Sequence, residues 1–179
     1  MESPPAIYSN EKQQGIMATK EVLYSSDFQI TTQDVPDEIA LAISISGCPL
    51  RCKNCHSAFT WDPKFGEILT DELMEILIQK NKYASCVLFY GGEWQLERLL
   101  ELIQIVKNHN LKVCLYTGLI LDEIKATKPK LLEVLDYIKV GRYIEELGGL
   151  NKKTTNQKLF KIENSGKNLI DWTNKFFQS

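Results

Sequence analysis

Cys48, Cys52 and Cys55 fall inside one short stretch, SGCPLRCKNCHS, spanning Ser46 to Ser57. Their spacing is C-x3-C-x2-C, and a loop that short can curl its thiolates inward around one polynuclear centre. A cubane [4Fe–4S] cluster ordinarily takes four cysteines, one per iron. Three leave one iron without a protein ligand, and an open position is what a catalytic metal site keeps for a substrate or cosubstrate. Two other readings of the same residues compete. Cys48, Cys52, Cys55 and His56 make a permissible Cys3His zinc set, although Cys55 and His56 are adjacent and simultaneous ligation is awkward. Cys52-Lys53-Asn54-Cys55-His56 also spells the C-x-x-C-H pattern of haem c attachment. That use leaves Cys48 idle and requires export to an oxidising compartment.

Bulk composition narrows the class. The chain has 179 residues, 44% hydrophobic and 25% charged, with a formal net charge of −2, which suits one soluble globular domain. Basic residues are scattered, leaving no electrostatic footprint for nucleic acid or an anionic membrane. MESPPAIYSN lacks the positive and apolar regions of a signal peptide, and the longest apolar run, near Ile39–Ser46, is too short to span a bilayer. We therefore expect a cytoplasmic protein with neither nucleic-acid nor membrane partners. In a reducing compartment disulfides are rare, and an odd count of five cysteines favours metal or redox roles for the clustered ones. Cys86 and Cys114 stand in ASCVLFY and LKVCLYT, apolar β-type runs where free cysteine behaves as a small core residue.

The elements that must position the cysteine loop alternate along the chain. Residues 1–20 are polar and irregular and are expected to be a disordered extension; residues 21–179 form a single domain. VLYSSDFQI suggests a short first strand, and TTQDVPDE a loop. Glu38–Ser46 reads as a buried strand, Thr70–Lys82 as an amphipathic helix capped by Thr70, and Ser85–Gly92 as the next strand. Glu93–Asn110 is a helix with Leu96, Leu99, Leu100, Ile103 and Val106 on one face. Lys112–Gly118 is a strand, and Leu119–Leu135 holds a helix interrupted or restarted at Pro129. Asp136–Tyr143 is a strand, the tract after it a long polar loop, and KLFKIEN a final strand. Strand–helix alternation of this kind implies βαβ units and a parallel sheet. In such sheets ligands collect beyond the carboxyl ends of the strands. GCPLRCKNC, YGGEW, YTG and KVGR each end a strand, so all four converge on one rim.

These residues resemble the radical S-adenosylmethionine (SAM) superfamily, whose members carry C-x3-C-x2-C after the first strand of a partial (β/α) barrel. The resemblance implies an α/β fold of that small partial-barrel type with a mostly parallel sheet. It implies a [4Fe–4S] cluster on Cys48, Cys52 and Cys55, with SAM chelating the fourth iron and undergoing one-electron cleavage to a 5′-deoxyadenosyl radical. Gly91-Gly92-Glu93 resembles the family's GGE motif, where a backbone without side chains admits the methionine moiety. Many members have an aromatic residue before the third cysteine; Asn54 stands there in this chain, and its contact with SAM is expected to run through the backbone. Lys139 is the residue that could pair with the SAM carboxylate, its alternative being a solvated strand-end lysine.

Within the superfamily, DVPDEIALAISISGCPLRCKNCHS, Thr60-Trp61-Asp62 and DYIKVGRYIEELGGLNKKTTNQ resemble the activases of anaerobic (class III) ribonucleoside-triphosphate reductase. That resemblance implies hydrogen abstraction from one glycine of the reductase, and an electron donor such as flavodoxin or ferredoxin. Arg142 and the loop Gly148–Gln157 then touch the partner or cover the site. Trp61 is a lid or packing residue, Trp94 a core residue opening a helix, and His109 a helix-end cation. Other readings stay open. They are the activase of a different glycyl radical enzyme, a 7-carboxy-7-deazaguanine synthase-like enzyme, or a non-catalytic iron–sulfur or zinc module.

Overall fold

A strand buried on both faces reads as an unbroken apolar run, and every residue of Ala40–Ile45 is buried. The computed structural model describes residues 22–177, so the extension expected over residues 1–20 lies outside the described residues. In chain order the strands are β1 (Tyr24–Thr31), β2 (Ala40–Ile45), β3 (Glu67–Ile68), β4 (Cys86–Tyr90), β5 (Lys112–Tyr116), β6 (Tyr137–Val140), β7 (Lys158–Glu163) and β8 (Asn168–Asp171). The helices are α1 (Asp71–Lys80), α2 (Leu96–Asn108), α3 (Leu121–Thr127) and α4 (Pro129–Val134), with 3-10 turns at Ala58–Trp61 and Thr173–Phe177.

All eight strands form one sheet in the linear order β3-β1-β2-β4-β5-β6-β7-β8. The expected parallel core is present: β2, β4, β5 and β6 pair in parallel, joined by α1, α2 and the α3–α4 pair. Antiparallel strands flank it, β1 and β3 on one side and β7 and β8 on the other. Lys158–Glu163 is thus not the final strand, and its partner β8 has too little apolar periodicity in NLID to announce itself. Helix α2 starts at Leu96 rather than Glu93, because Gly91 and Gly92 have φ of 87° and 105° and hold the chain in a turn. Glu93 and Trp94 therefore belong to the turn between β4 and α2. Thr70 caps α1 as expected, accepting from the Leu73 amide at 3.1 Å, and Pro129 opens α4.

Alternation along the parallel strands builds two cores. Leu41, Ile43, Val87, Phe89, Val113, Leu115 and Ile138 meet Met74, Leu99, Leu102 and Ile103 from the helices. The opposite face presents Ala40, Ala42, Cys86, Leu88, Cys114 and Tyr137. It is covered by Val35 from the β1–β2 loop and by Trp172 and Phe176 near the C-terminal turn. Cys86 and Cys114 are core residues, as the sequence suggested.

A polar knot closes the end of the sheet remote from the rim. The Glu38 carboxylate, with its side chain 3% exposed, accepts from Ser85 Oγ at 2.6 Å, from the Tyr137 hydroxyl at 2.7 Å, and from Lys112 Nζ. Burial would raise this carboxyl, but the three donors outweigh it and hold it below its ordinary value of 4.5. A depressed carboxyl stabilises the fold above its unfolded pKa and loses that contribution as pH falls through the folded value. Glu38→Gln should therefore lower stability at pH 7 by roughly 1–3 kcal/mol. Urea unfolding of both proteins should show that gap shrinking below pH 4.5; an unchanged gap at pH 4 would remove the charge from the explanation.

Candidate functional site

The cysteine loop leaves β2 through a series of reversals. Gly47, Arg51 and Asn54 have φ of 98°, 44° and 53°, and each immediately precedes a cysteine. Glycine and asparagine tolerate this left-handed region; arginine adopts it at a cost of about 1–2 kcal/mol. The carbonyl of Thr60 anchors the start of the loop, accepting from the Gly47 amide at 2.6 Å and the Cys48 amide at 3.2 Å. A turn bond from the Cys55 amide to the Cys52 carbonyl, 3.1 Å, folds the end. All three cysteines are free thiols and partly accessible. Burial pushes the Cys48 thiol up, and the nearby Glu93 and Cys55 charges add to that push. Among the described residues no three His, Cys, Asp or Glu side chains stand at the spacing of a single bound metal ion.

The ends of β4, β5 and β6 face this loop. Glu93 is 4% exposed. Its Oε1 accepts from the Thr117 hydroxyl at 2.6 Å, while its Oε2 is buried without a partner. Burial raises its pKa against that hydrogen bond. Lys139 is 8% exposed, which excludes the solvated alternative. Its ammonium donates to the Gly141 carbonyl at 3.0 Å and lies 3.5 Å from that of Thr117. Burial lowers it to about 8, opposed by the negative charges of Cys52, Glu93, Cys55 and Cys48. The three cysteines, Glu93 and Lys139 therefore form one electrostatic neighbourhood. Gly91 has its Cα against the Trp94 indole, and a Cβ there would come within 2.5 Å of the ring. Trp94 is half-buried and packs between this turn and Gly47.

Two contacts fasten the cysteine loop to the polar segment after β6. Asn54 Nδ2 donates to Glu145 Oε2 at 2.5 Å, and the His56 ring lies 5.0 Å from that of Tyr143. Neither Glu145 nor Tyr143 carried a signal in the sequence, because the pairing spans some ninety positions. A cavity of about 420 Å³ opens beside Cys55, His56, Tyr116, Lys139, Tyr143 and Gln157. It shares Gln33, Asn151 and Phe176 with an adjoining hollow of about 600 Å³. Within the polar loop Gln157 is buried and donates to the Gly141 carbonyl at 3.3 Å, while Asn156 donates to that of Arg142 at 3.0 Å. Arg142 is exposed. Trp61 closes the 3-10 turn with its Nε1 buried and unpartnered. His109 sits at the α2 C-terminus, 2.6 Å from Glu75, and serves the helices rather than the rim.

The donor set suits a thiolate-ligated cluster with an adjoining amino-acid cosubstrate. Partly accessible thiols share one electrostatic neighbourhood with a buried carboxylate oxygen that lacks a donor and a buried ammonium that can meet a carboxylate. Comparison with known proteins agrees. The profile of the 4Fe-4S single cluster domain family matches residues 39–163, and the chain belongs to that family. Among individual proteins, it is similar to the anaerobic ribonucleoside-triphosphate reductase-activating protein of Vibrio cholerae, 29% identical over 112 residues, 57% of this chain and 72% of that one. The Haemophilus influenzae protein of the same name is 26% identical over equal shares. The pyruvate formate-lyase-activating enzyme of Clostridium pasteurianum is 31% identical over 87 residues, 45% of this chain but only 37% of that enzyme. The chain thus resembles radical SAM activases, as its cysteine spacing and Gly91-Gly92-Glu93 suggested. Among the described residues no helix is long and apolar enough to cross a membrane.

Thiol accessibility is directly testable. Cys86 and Cys114 are 0% exposed with thiols raised by burial, so iodoacetamide should label only Cys48, Cys52 and Cys55 in folded, metal-free protein. The two core thiols should react only in denaturant, read by mass spectrometry. Gly91→Ala should lower the melting temperature more than Gly92→Ala, since both meet φ strain but only the former drives a Cβ into Trp94.

Proposed function

We propose that this protein is a radical SAM activase. It cleaves S-adenosylmethionine reductively at a [4Fe–4S] cluster and generates a glycyl radical on an anaerobic ribonucleoside-triphosphate reductase. The observation that carries the proposal is the meeting, at one rim, of the three-cysteine loop with Glu93 and Lys139 from two further strand ends. The two activating proteins of that reductase, matched over 72% of their length, support the choice of partner.

In this reading Cys48, Cys52 and Cys55 hold three irons and leave the fourth to SAM. Bound together, the cluster and SAM supply one-electron cleavage of a sulfonium carbon–sulfur bond. The chain's residues bind and orient. Gly91 and Gly92 let the backbone approach the methionyl end, Glu93 Oε2 accepts from its amino group, and Lys139 meets its carboxylate. Asn54, whose amide is engaged with Glu145, contributes its backbone. The cavity beside Cys55 and Lys139 and the hollow continuing from it form the entry for a glycine-bearing loop. Glycine suits the reaction because no side chain blocks its α-carbon. A flavodoxin or ferredoxin supplies the electron.

The match to a pyruvate formate-lyase-activating enzyme favours a second reading, in which the partner is a different glycyl radical enzyme. One experiment separates them. Protein reconstituted anaerobically with iron and sulfide, then reduced, should form 5′-deoxyadenosine from SAM, and Cys52→Ala should form none. Electron paramagnetic resonance should then show a glycyl radical on anaerobic ribonucleotide reductase and not on pyruvate formate-lyase. The reverse pattern would transfer the assignment to the second partner, and no cleavage despite an intact cluster would overturn the activase.

A further inference from the structure

Thr117 stands between the two charged residues of the rim and touches both. It is 2% exposed. Its hydroxyl donates to Glu93 Oε1 at 2.6 Å and accepts from the Leu119 amide at 3.0 Å. A hydroxyl has one hydrogen and two lone pairs. With one lone pair occupied by a backbone N–H, the direction of its single hydrogen is set by the β5–α3 turn rather than left to rotate. The backbone of Thr117 makes the second connection. Its amide donates to the Lys139 carbonyl at 2.9 Å, and its own carbonyl faces the Lys139 ammonium at 3.5 Å.

Resting on the reading of Glu93 and Lys139 as the ligands of the amino-acid end of SAM, we infer that Thr117 is the positioning residue that sets their register. By holding Oε1, it leaves Oε2, the buried oxygen without a partner, as the carboxylate's free acceptor. By ladder bonding to β6 it fixes the height of Lys139 against that oxygen. The pair then recognises an α-amino acid end, amine at one pole and carboxylate at the other. The adenosine portion lies outside Thr117's reach. Without the hydroxyl, Glu93 loses its side-chain donor and the orientation that donor imposes, so recognition of the amino-acid end fails first.

Equilibrium binding to the cluster-reconstituted protein tests this, using SAM and 5′-methylthioadenosine, which keeps the nucleoside and lacks the amino-acid tail. Thr117→Val should weaken SAM binding at least about tenfold, a loss of ~1.4 kcal/mol, and leave 5′-methylthioadenosine within about twofold. Thr117→Ser, which keeps the hydroxyl, should restore SAM binding. Thr117→Ala, which adds no bulk, should behave as Thr117→Val and covers the case in which valine prevents folding. Unchanged SAM binding in the valine or alanine protein overturns the inference, as does an equal loss for both ligands, which would mark a merely structural threonine. Failure of the wild type itself to bind SAM is a different result, and it would overturn the site reading on which the inference rests.

Discussion

Everything at the rim depends on the parallel register of four strands. Ser44 pairs with Tyr90, Tyr90 with Tyr116, and Tyr116 with Lys139, so one row of side chains crosses the sheet just below its carboxyl edge. A slip of one residue in any ladder would turn that row to the opposite face. Lys139 would then leave the cysteine loop for the apolar layer under the helices. The slip is opposed on both sides at once, since each strand buries alternate residues in two separate cores. Register is therefore held by hydrophobic burial, and the chemistry inherits its geometry from it.

Against this rigid frame the site itself is locally costly. Arg51 sits at a left-handed φ, Glu93 keeps an unpartnered buried oxygen, and Lys139 keeps a buried ammonium. Removing a charged group from water is unfavourable unless it is paired, and here the pairing is left incomplete. Strain and unmet polar groups of this kind persist where the surrounding structure over-determines them and tend to mark functional positions. The knot at Glu38 is the contrast. There the buried carboxylate has three donors, and its role is to fasten β4, β5 and β6 at the end remote from the rim.

Much of this was legible in the chain. The apolar runs ALAISI, CVLFY and KVCLY, the cap at Thr70 and the break at Pro129 located the parallel units, because these signals are local. The cysteine spacing and Gly91-Gly92-Glu93 are local signals of the same kind, and they pointed to the rim as the candidate site. Local pattern does not encode the weak strand β8, the later start of α2, or the burial of Arg98. That arginine is 5% exposed and reaches Asp71, Glu101 and the Leu69 carbonyl, a set no helical periodicity announces.

The residue types at the rim, and the class of chemistry they allow, are set by the order of residues alone, since three thiols at that spacing and a pair of glycines before a glutamate are covalent facts. How they work together comes from the folded arrangement. It buried Lys139, which a strand-end lysine need not be, and placed Thr117 between that lysine and Glu93. It also tied Asn54 to Glu145 across the rim. The physical reason is the same throughout. Desolvation and hydrogen-bond direction depend on what the rest of the fold brings within a few ångströms, and neighbours brought from distant parts of a chain leave no mark in its local order.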